Sequence, residues 1–252
     1  MRFWVGVTDR AWFEHLRTRA PDEVNFWQPS SRPLATFLEP GVPFLFKLHA
    51  PDNYIVGGGL FIRFSALPAR LAWEAFGDKN GIPNYQSLRQ RVERYRGAIR
   101  GDPEIGCNIL SNPFFFDRSR WIQEPASWAP NIVRGRTFDT GESEGMTLWN
   151  TVTDRLRDRE ALTPEVTEPQ RYGDDYLAHA RLGQGAFRVL VTDAYQRRCA
   201  ITGERTLPVL EAAHILPFAK SGPNLVSNGL LLRSDLHTLF DQASRDRNVA
   251  RA

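Results

Sequence analysis

Short apolar runs separated by turn-forming residues recur along the chain, and their periodicity predicts alternating strands and helices. Phe3 to Val7 is an apolar run that predicts a first strand. Thr8 or Asp9 can cap a helix that continues to about Arg19. The predicted inner face of this helix carries Trp12, Phe13 and Leu16. An aromatic-bearing polar loop is predicted next, over Asn25 to Ser31.

Two further strands are predicted around a group of glycines. Pro43 to Leu48 forms the first strand, and Tyr54 to Phe64 forms the second, with Gly57 to Gly59 in its middle. Neither a Lys-Ser nor a Lys-Thr pair follows these glycines, so the pattern excludes a phosphate-binding loop. Glycines inside a strand more often mark a bulge or the corner of a barrel. The stretch therefore predicts a hairpin with a glycine-rich bend.

Helices alternate with strands in the rest of this half. Helices are predicted over Leu67 to Phe76, over Asn84 to Gly97 and over Thr147 to about Arg159. The helix over Asn84 to Gly97 has Leu88, Val92 and Tyr95 on one side, and Arg89, Arg91, Arg94 and Arg96 elsewhere. Two strands are predicted between these helices, over Ile105 to Leu110 and Pro113 to Phe116. The polar stretch 161–180 contains two prolines and predicts a linker between domains 1–160 and 181–252.

The most informative pattern lies near the end of the chain. An apolar run leads into His214, and a loop rich in Gly, Pro, Asn and Ser then extends to Asn228. A second apolar run follows over Leu230 to Leu232, and Ser234 can cap a helix. The predicted order is strand, loop, strand, helix.

The predicted helix carries His237 and Asp241, which lie one turn apart on one face. An imidazole and a carboxylate placed in this way can bind one divalent cation. A hairpin could bring His214 over the same cation. The amide of Asn228 can tie the loop backbone together.

The ordered set of His214, Asn228 and His237, within about residues 194–241, resembles the HNH nuclease family, whose hairpin-plus-helix unit holds a single metal. The resemblance implies a ββα-metal domain in which His214 is the general base that deprotonates water and Asn228 is a structural brace. It also implies that His237 and Asp241 hold a divalent metal against the scissile phosphate. Mg²⁺ is the expected ion, with Mn²⁺ or another transition metal as alternatives.

Two positions depart from the pattern of this family. Many members place an acidic or histidine ligand immediately before the general base, where this chain has Ala213. Either two protein ligands suffice, or Glu211 supplies another, or the site is weakened. Some relatives also carry paired cysteines for a structural zinc. Here Thr202 stands where the partner of Cys199 would fall, so no structural zinc is expected.

Basic residues are concentrated around this unit. The chain has a net charge of +3, which permits nucleic-acid binding without requiring it. Between Arg181 and Lys220 the basic residues exceed the acidic ones by three, the excess of the whole chain. The segment before the hairpin resembles that of other bacterial HNH proteins, in which Gln and Arg face DNA. We therefore expect DNA contacts from Arg181, Gln184, Arg188, Arg198 and Lys220.

The strands and inserted helices of residues 1–140 resemble the small barrels of the PUA, EVE, ASCH and SRA group. The resemblance implies a PUA-like β-barrel with inserted helices, and members of that group often recognise modified bases. The expected pocket for a modified base comprises Asn25, Phe26, Trp27 and Tyr54. Gln28, His49 and Asn53 are further candidates for hydrogen bonds to a base edge. Alternatively, Trp27 fills the barrel as a core residue.

Composition limits the class of protein. At 252 residues and 42% hydrophobic composition, the chain can form one large domain or two ordinary domains with substantial cores. No apolar run approaches the length of a transmembrane helix, and the N-terminal residues lack the pattern of a signal peptide. Two cysteines do not provide a disulfide framework. We expect a cytoplasmic protein with no membrane partner. The polar stretch after Asp241 predicts either a poorly buttressed final helix or a truncated protein.

These patterns together predict an α+β protein that is a metal-dependent DNA endonuclease, specifically a modification-dependent restriction enzyme. The expected substrate is double-stranded DNA that carries modified bases, and a second copy of the chain is a candidate partner. One alternative is a catalytically weak or inactive nucleic-acid-binding protein that retains the HNH scaffold. In a third interpretation, the N-terminal half binds proteins and the nuclease has a housekeeping role.

Overall fold

The computed structural model describes residues 1–160, 182–220 and 222–249, with side chains over 1–157, 182–219 and 222–243. The chain divides into two units, Met1–Ala180 and Arg181–Ala252. The predicted linker, 161–180, lies outside the described residues. In the described part of the chain, no helix combines the length and the apolar composition needed to cross a membrane.

The first unit is built on one seven-stranded sheet. Its strands are β1 (Arg2–Thr8), β2 (Glu23–Gln28), β3 (Pro43–Leu48), β4 (Tyr54–Pro68), β5 (Glu104–Phe115), β6 (Ile122–Gln123) and β7 (Gly135–Asp139). Their order across the sheet is β2-β5-β4-β3-β1-β7, and β6 pairs with β4. β1 runs parallel to β3, and the other neighbouring strands are antiparallel.

The sheet does not close into the predicted barrel within the described residues, because β2 and β7 end the ladder without pairing with each other. Bulges bend β4, where the register shifts between Gly58 and Leu60 and again further along the strand. A Cβ added at Gly57 would overlap the carbonyl oxygen of Phe114, so no side chain fits at this close approach. The predicted bulge at the glycines is confirmed.

Four α-helices lie in the described part of this unit, and each corresponds to a predicted helix. They are α1 (Arg10–Arg19), α2 (Ala69–Phe76), α3 (Tyr85–Arg96) and α4 (Ser143–Glu160). Asp9 caps α1, since its Oδ1 accepts a hydrogen bond from the backbone N–H of Trp12 (2.9 Å). Trp12, Phe13 and Leu16 are buried, which confirms the predicted inner face of α1.

Asn25 to Gln28 belong to strand β2, so the prediction that they are part of a polar loop was wrong. β2 pairs with β5 along its whole length, with Phe26 opposite Asn108. Phe26 is only 7% exposed, and Asn25 is completely buried. The sequence pattern reflects local polarity, whereas pairing with a strand far along the chain fixes this backbone.

Apolar side chains cover both faces of the central strands. Residues that alternate along β1 and β3 belong to two separate clusters. One cluster contains Trp4, Phe44 and Phe46, with Trp12, Phe13 and Leu16 of α1. The other contains Phe3, Val5 and Leu45, with Leu148 and Val152 of α4. Each fully buried aromatic or aliphatic side chain contributes about 1.5–3 kcal/mol to stability.

The second unit consists, in its described residues, of α5 (Gln184–Ala194), β8 (Leu210–His214), β9 (Gly229–Arg233) and α6 (Ser234–Val249). β8 and β9 form an antiparallel hairpin, and α6 begins at Ser234. The predicted order of strand, loop, strand and helix is confirmed. α6 continues beyond Asp241 to Val249, further than the sequence pattern indicates.

Candidate functional site

The hairpin of β8 and β9 lies between α5 and α6. Leu236 and Phe240, one turn apart on α6, pack against the core of the unit. On the other face, a Cβ added at Gly229 would overlap Val191 of α5 and crowd the ring of Phe187. Gly229 pairs with His214 across the hairpin. The missing side chain at Gly229 therefore lets α5 approach His214 closely.

His214 is the last residue of β8, and its ring is held in two ways. The ring stacks on Phe187, with centroids 4.0 Å apart and planes 13° apart. Its Nε2 lies 2.7 Å from Oδ1 of Asn224, and Nδ2 of Asn224 donates a hydrogen bond to the carbonyl of Leu182 (2.7 Å). The bond to Leu182 fixes the amide, so that its oxygen faces the imidazole.

The contact with Asn224 determines which nitrogen of His214 is available for chemistry. An amide oxygen can only accept a hydrogen bond, so Nε2 of His214 carries the proton in this contact. In the neutral imidazole, Nδ1 then keeps its lone pair and can accept a proton from water. Asn224 was not among the predicted site residues. Its signal in the sequence is its place in the polar loop between His214 and Asn228.

Asn228 ties together the loop that follows His214. Its Oδ1 accepts a hydrogen bond from the backbone N–H of Leu216 (2.8 Å), and its Nδ2 donates to the carbonyls of Leu216 (3.1 Å) and Pro223 (3.0 Å). Its backbone carbonyl accepts from the N–H of Ile215 (2.8 Å). One buried amide therefore joins both ends of the loop and fixes the backbone next to His214.

His237 lies between two carboxylates. Its Nδ1 is 2.6 Å from Oε2 of Glu211, and its Nε2 is 3.7 Å from Oδ2 of Asp241. An ionised carboxylate can only accept a hydrogen bond, so Nδ1 carries the proton and Nε2 turns its lone pair toward Asp241. Glu211 therefore orients the ring, as carboxylates do for many metal-binding histidines.

His237 and Asp241 can share one divalent ion. Two ligands that are each about 2.1 Å from a metal lie at most about 4.2 Å apart, and the observed 3.7 Å satisfies this limit. Glu211 contacts Nδ1 of His237 and not Nε2, so it does not belong to the ligand set formed by Nε2 and Asp241. Ala213 is completely buried and offers no ligand. The geometry fits two protein ligands, with oxygens from water or a bound oxyanion in the remaining positions.

The ligand set is small. Within the described residues, no group of three or more His, Cys, Asp or Glu side chains could hold a metal ion. Strand alternation directs Glu211 toward α6 and His214 toward α5. Among the same residues, no hydrogen bond or ion pair joins His214 to His237 or Asp241. His214 therefore lies at the end of β8 against α5, whereas His237 and Asp241 lie on α6. A joint role of these residues in one site stays a prediction.

The predicted DNA-binding residues are described in part. Gln184 is exposed in the first turn of α5, and Arg188 lies one turn later and is half-buried. Arg198 is exposed in the turn before Cys199. Arg181 and the side chain of Lys220 lie outside the described residues. Contact of this set with DNA stays a prediction.

Cys199 lies at the base of the hairpin and accepts hydrogen bonds. Its Sγ accepts from the backbone N–H groups of Thr202 (3.5 Å) and Arg233 (3.4 Å). Burial alone would raise the pKa of this thiol, but hydrogen bonds from Thr202, Ile201 and Arg233 lower the pKa to about 7. Thr202, which stands where a second zinc cysteine would fall, is thus a hydrogen-bond donor to the sulfur.

We expect the free energy of unfolding to rise as the pH increases from about 7 to about 9 through Cys199. The folded-state pKa of about 7 lies below the ordinary value of 9.0, so the unfolded chain binds more protons between these values. Calorimetry of the full chain across this range measures the effect, and Cys199→Ala should flatten the curve. Cys107→Ala is the matched control, since burial raises the pKa of Cys107 to about 12. An unchanged slope in Cys199→Ala would contradict the assignment.

A separate cavity of about 470 Å³ opens in the first unit. This volume is typical of small-molecule sites. Trp12, Phe26 and Trp27 supply aromatic walls, and Gln28 and His49 are among the polar residues that line it. The cavity also contacts Thr8, Asp9, Arg91, Tyr95, Val133 and Arg134. Two of the four predicted pocket residues, Phe26 and Trp27, therefore border one cavity.

The other predicted pocket residues lie elsewhere. Asn25 is fully buried, and its Nδ2 donates a hydrogen bond to Oδ1 of Asn80 (2.8 Å). The ring of Tyr54 lies 5.7 Å from that of Trp121, outside the cavity lining. Among the described residues, the lining of this cavity therefore excludes both Asn25 and Tyr54. The sequence does not show to which face of a strand each side chain points, so it could not exclude Asn25 and Tyr54 from the predicted pocket.

Part of the second unit is similar to a known protein family. Residues 199–244 match the family model of an HNH endonuclease. This segment includes His214, Asn228, His237 and Asp241. No curated protein matches the chain. The match supports a nuclease unit of the HNH type.

Two crystal structures of ASCH protein variants from Zymomonas mobilis are similar to this chain. Each is 10% identical to it, covers 59% of it and superposes with a TM-score of 0.38. The similarity covers 96% of one of these proteins and 94% of the other.

Proposed function

We propose that the chain is a metal-dependent DNA endonuclease of the HNH type. The observation that carries this proposal is the coincidence of the HNH match with a histidine whose Nδ1 is free to act as a base. Phosphodiester hydrolysis needs an activated water and a positive charge near the phosphoryl oxygens. Residues of the second unit can supply the base and the ligands for that charge.

Each residue has a distinct role in the proposed reaction. His214 accepts a proton at Nδ1 from the attacking water, while Asn224 holds its Nε2–H. His237 and Asp241 would hold the divalent ion, and Glu211 orients His237. When bound, such an ion offsets charge on the phosphoryl oxygens. The substrate phosphate would connect the base on β8 with the ligands on α6.

Cleavage of DNA by the purified chain in the presence of Mg²⁺ or Mn²⁺ tests the proposal. A second candidate function is binding of nucleic acid without cleavage. It is favoured by the small ligand set and by the buried Ala213 at the position that often holds a ligand in this family. Tight binding to plasmid DNA without any strand scission under either metal would select this alternative.

We further propose that the first unit is a PUA-like module that recognises modified bases, which would make the protein a cytoplasmic, modification-dependent restriction enzyme. HNH units contact mainly phosphates, which carry little sequence information. The cavity of the first unit has aromatic walls and polar lining groups that suit an extruded base. This combination supports recognition of the target by the first unit and cleavage by the second.

We expect Trp27→Ala to reduce the preference for a base-modified duplex over its plain counterpart. Stacking of one base on an aromatic side chain contributes about 1–3 kcal/mol, and Trp27 borders the cavity. Affinities of the full chain for duplexes with and without hydroxymethylcytosine and other modified bases measure this preference. Tyr54→Ala is the matched control, because its ring packs on Trp121 outside the cavity.

The competing interpretation is that Trp27 only stabilises the fold. Trp27 is half-buried and donates a hydrogen bond from Nε1 to the carbonyl of Asn80 (3.1 Å). In that case Trp27→Ala would lower the melting temperature and weaken binding to every duplex equally. Equal affinity of the unsubstituted chain for plain and modified duplexes would refute base recognition and leave the nuclease proposal standing.

A further inference from the structure

Helix α3 places an aromatic residue over the cavity of the first unit instead of in the core. Leu88 and Val92 are completely buried on the inner side of α3. Tyr95 continues the same helical face one turn after Val92 and would be expected to join them. It is instead 63% exposed and lines the cavity. The structure therefore holds this ring at the mouth of the cavity.

A second exposed apolar residue borders the same cavity. Val133, in the loop before β7, is 65% exposed and lines the cavity together with Arg134. Exposed apolar side chains that flank a cavity are typical of surfaces that bind a partner. The mouth of the cavity thus lies between Tyr95 of α3 and Val133 of this loop.

The charge of this surface identifies the kind of partner. On α3, Arg89 pairs with Glu93 (3.0 Å), and Arg91 pairs with Asp9 (2.6 Å). Three further arginines are exposed, and their side chains make no hydrogen bond or ion pair with the described residues; they are Arg94, Arg96 and Arg134. Arg134 lines the cavity, and Arg94 and Arg96 precede and follow Tyr95 on α3. Unpaired guanidinium groups so close to a cavity residue suit a polyanion that extends beyond the ligand in the cavity.

We propose that the rim formed by Arg94, Tyr95, Arg96, Val133 and Arg134 binds the backbone of a DNA duplex, and that Tyr95 occupies the space left by a base extruded into the cavity. This inference rests on the proposed recognition of a base by the first unit. Extrusion from a duplex removes stacking, and an inserted apolar or aromatic side chain offsets that loss. A single strand needs no such insertion, so an exposed aromatic ring at the mouth favours duplex DNA.

The phosphate contacts are tested by the salt dependence of binding. All variants are made in the full chain with His214→Ala, which prevents cleavage. The probes are a labelled duplex with one hydroxymethylcytosine and the same duplex without the modification. Each lost phosphate contact lowers the slope of log affinity against log salt by about 0.9, so Arg94→Gln/Arg96→Gln should lower it by about 1.8. The decrease should be equal on both duplexes, since phosphates carry no sequence information.

A matched control removes the same charge elsewhere on the first unit. Arg118 and Arg157 are exposed and do not line the cavity. Arg118→Gln/Arg157→Gln should keep the slope of the parent chain. An unchanged slope in Arg94→Gln/Arg96→Gln, or an equal decrease in the control, would overturn the proposed rim. Tighter binding of single-stranded DNA or RNA than of either duplex would also overturn it.

Tyr95 is tested by making extrusion easier. A mismatched base is less costly to extrude than a paired one. Tyr95→Ala should weaken binding to the paired modified duplex by about tenfold, and placing the modified base in a mismatch should restore most of the loss. Tyr95→Phe should behave like the parent chain because it keeps the ring. An equal loss on paired and mismatched duplexes, or no loss on either, would overturn the role of Tyr95.

The outcomes separate this inference from the proposed function. If the parent chain binds plain and modified duplexes equally, recognition of the modified base fails, while the salt slopes still decide whether the rim contacts phosphates. If the parent chain prefers the modified duplex but the rim variants change nothing, base recognition stands and the rim is wrong. Because Tyr95, Arg94 and Arg96 are exposed, these substitutions should leave the melting temperature unchanged.

Discussion

Replacing His214 by alanine is expected to lower the rate of DNA cleavage by at least about a hundredfold. The substitution removes the one nitrogen, Nδ1, that the contact with Asn224 leaves free to accept a proton from water. Affinity for DNA should change little, because arginine and lysine contacts with phosphates dominate binding. Single-turnover cleavage of a plasmid at saturating metal, together with a binding titration, measures both quantities.

The loss of packing has to be separated from the loss of the base. The ring of His214 stacks on Phe187, so alanine also leaves a gap. His214→Phe keeps an aromatic ring on Phe187 but has no basic nitrogen, and it should be as inactive as His214→Ala. His15→Ala, in α1 of the first unit, is a control that removes an imidazole far from the hairpin in sequence and outside the cavity lining. Cleavage by His214→Phe at the rate of the parent chain would exclude His214 from proton transfer.

Asn224 offers a finer test of the same mechanism, because it selects the tautomer of His214. Asn224→Asp places a carboxylate beside Nε2 of His214. This carboxylate still accepts the hydrogen bond from Nε2, and its negative charge favours the protonated imidazole. Asn224→Leu removes the acceptor and leaves both tautomers accessible. The two substitutions should therefore shift the pH profile of cleavage differently, whereas a residue that only packs would affect both alike.

The parts of the site that the sequence predicts are those that depend on local periodicity. His237 and Asp241 share a helical face because they are four residues apart, and α6 begins at the cap residue Ser234. The hairpin follows from two apolar runs separated by a polar loop. These features need no knowledge of tertiary contacts, so the sequence was sufficient for them.

The parts that the sequence does not predict depend on contacts across the fold. Asn224 reaches His214 because the loop folds back and Leu182 holds the amide. Glu211 reaches Nδ1 of His237 because α6 packs on one face of the hairpin. In the first unit, Asn25 is buried because β2 pairs with β5, and no local signal distinguishes it from a loop residue. Side-chain direction on a strand whose two faces are both covered cannot be assigned from polarity alone.

The double substitution His237→Ala/Asp241→Ala is expected to weaken binding of Mn²⁺ at least about a hundredfold and to abolish cleavage. Both ligands on α6 are removed. Glu211 alone cannot replace them, because it lies beside Nδ1 of His237, whereas Nε2 is the nitrogen near Asp241. Titration calorimetry of the full chain with Mn²⁺ measures affinity. Asp235→Ala is the matched control, since it removes an exposed carboxylate from the same helix. Asp235 pairs with Arg233, which lowers the pKa of its carboxyl group to about 2.

Glu211→Gln distinguishes an orienting role from direct coordination. The amide oxygen of glutamine can still accept the hydrogen bond from Nδ1 of His237, so the ring keeps its orientation but loses the neighbouring negative charge. An orienting residue of this kind contributes about ten- to a hundredfold in metal affinity, and Glu211→Gln should lie at or below the lower end of that range. A loss as large as that of His237→Ala/Asp241→Ala would show that Glu211 binds the ion directly. If Glu211→Gln binds Mn²⁺ as tightly as Asp235→Ala does, the carboxylate of Glu211 has no influence on the metal. Unchanged Mn²⁺ binding in His237→Ala/Asp241→Ala would place the metal site elsewhere in the chain.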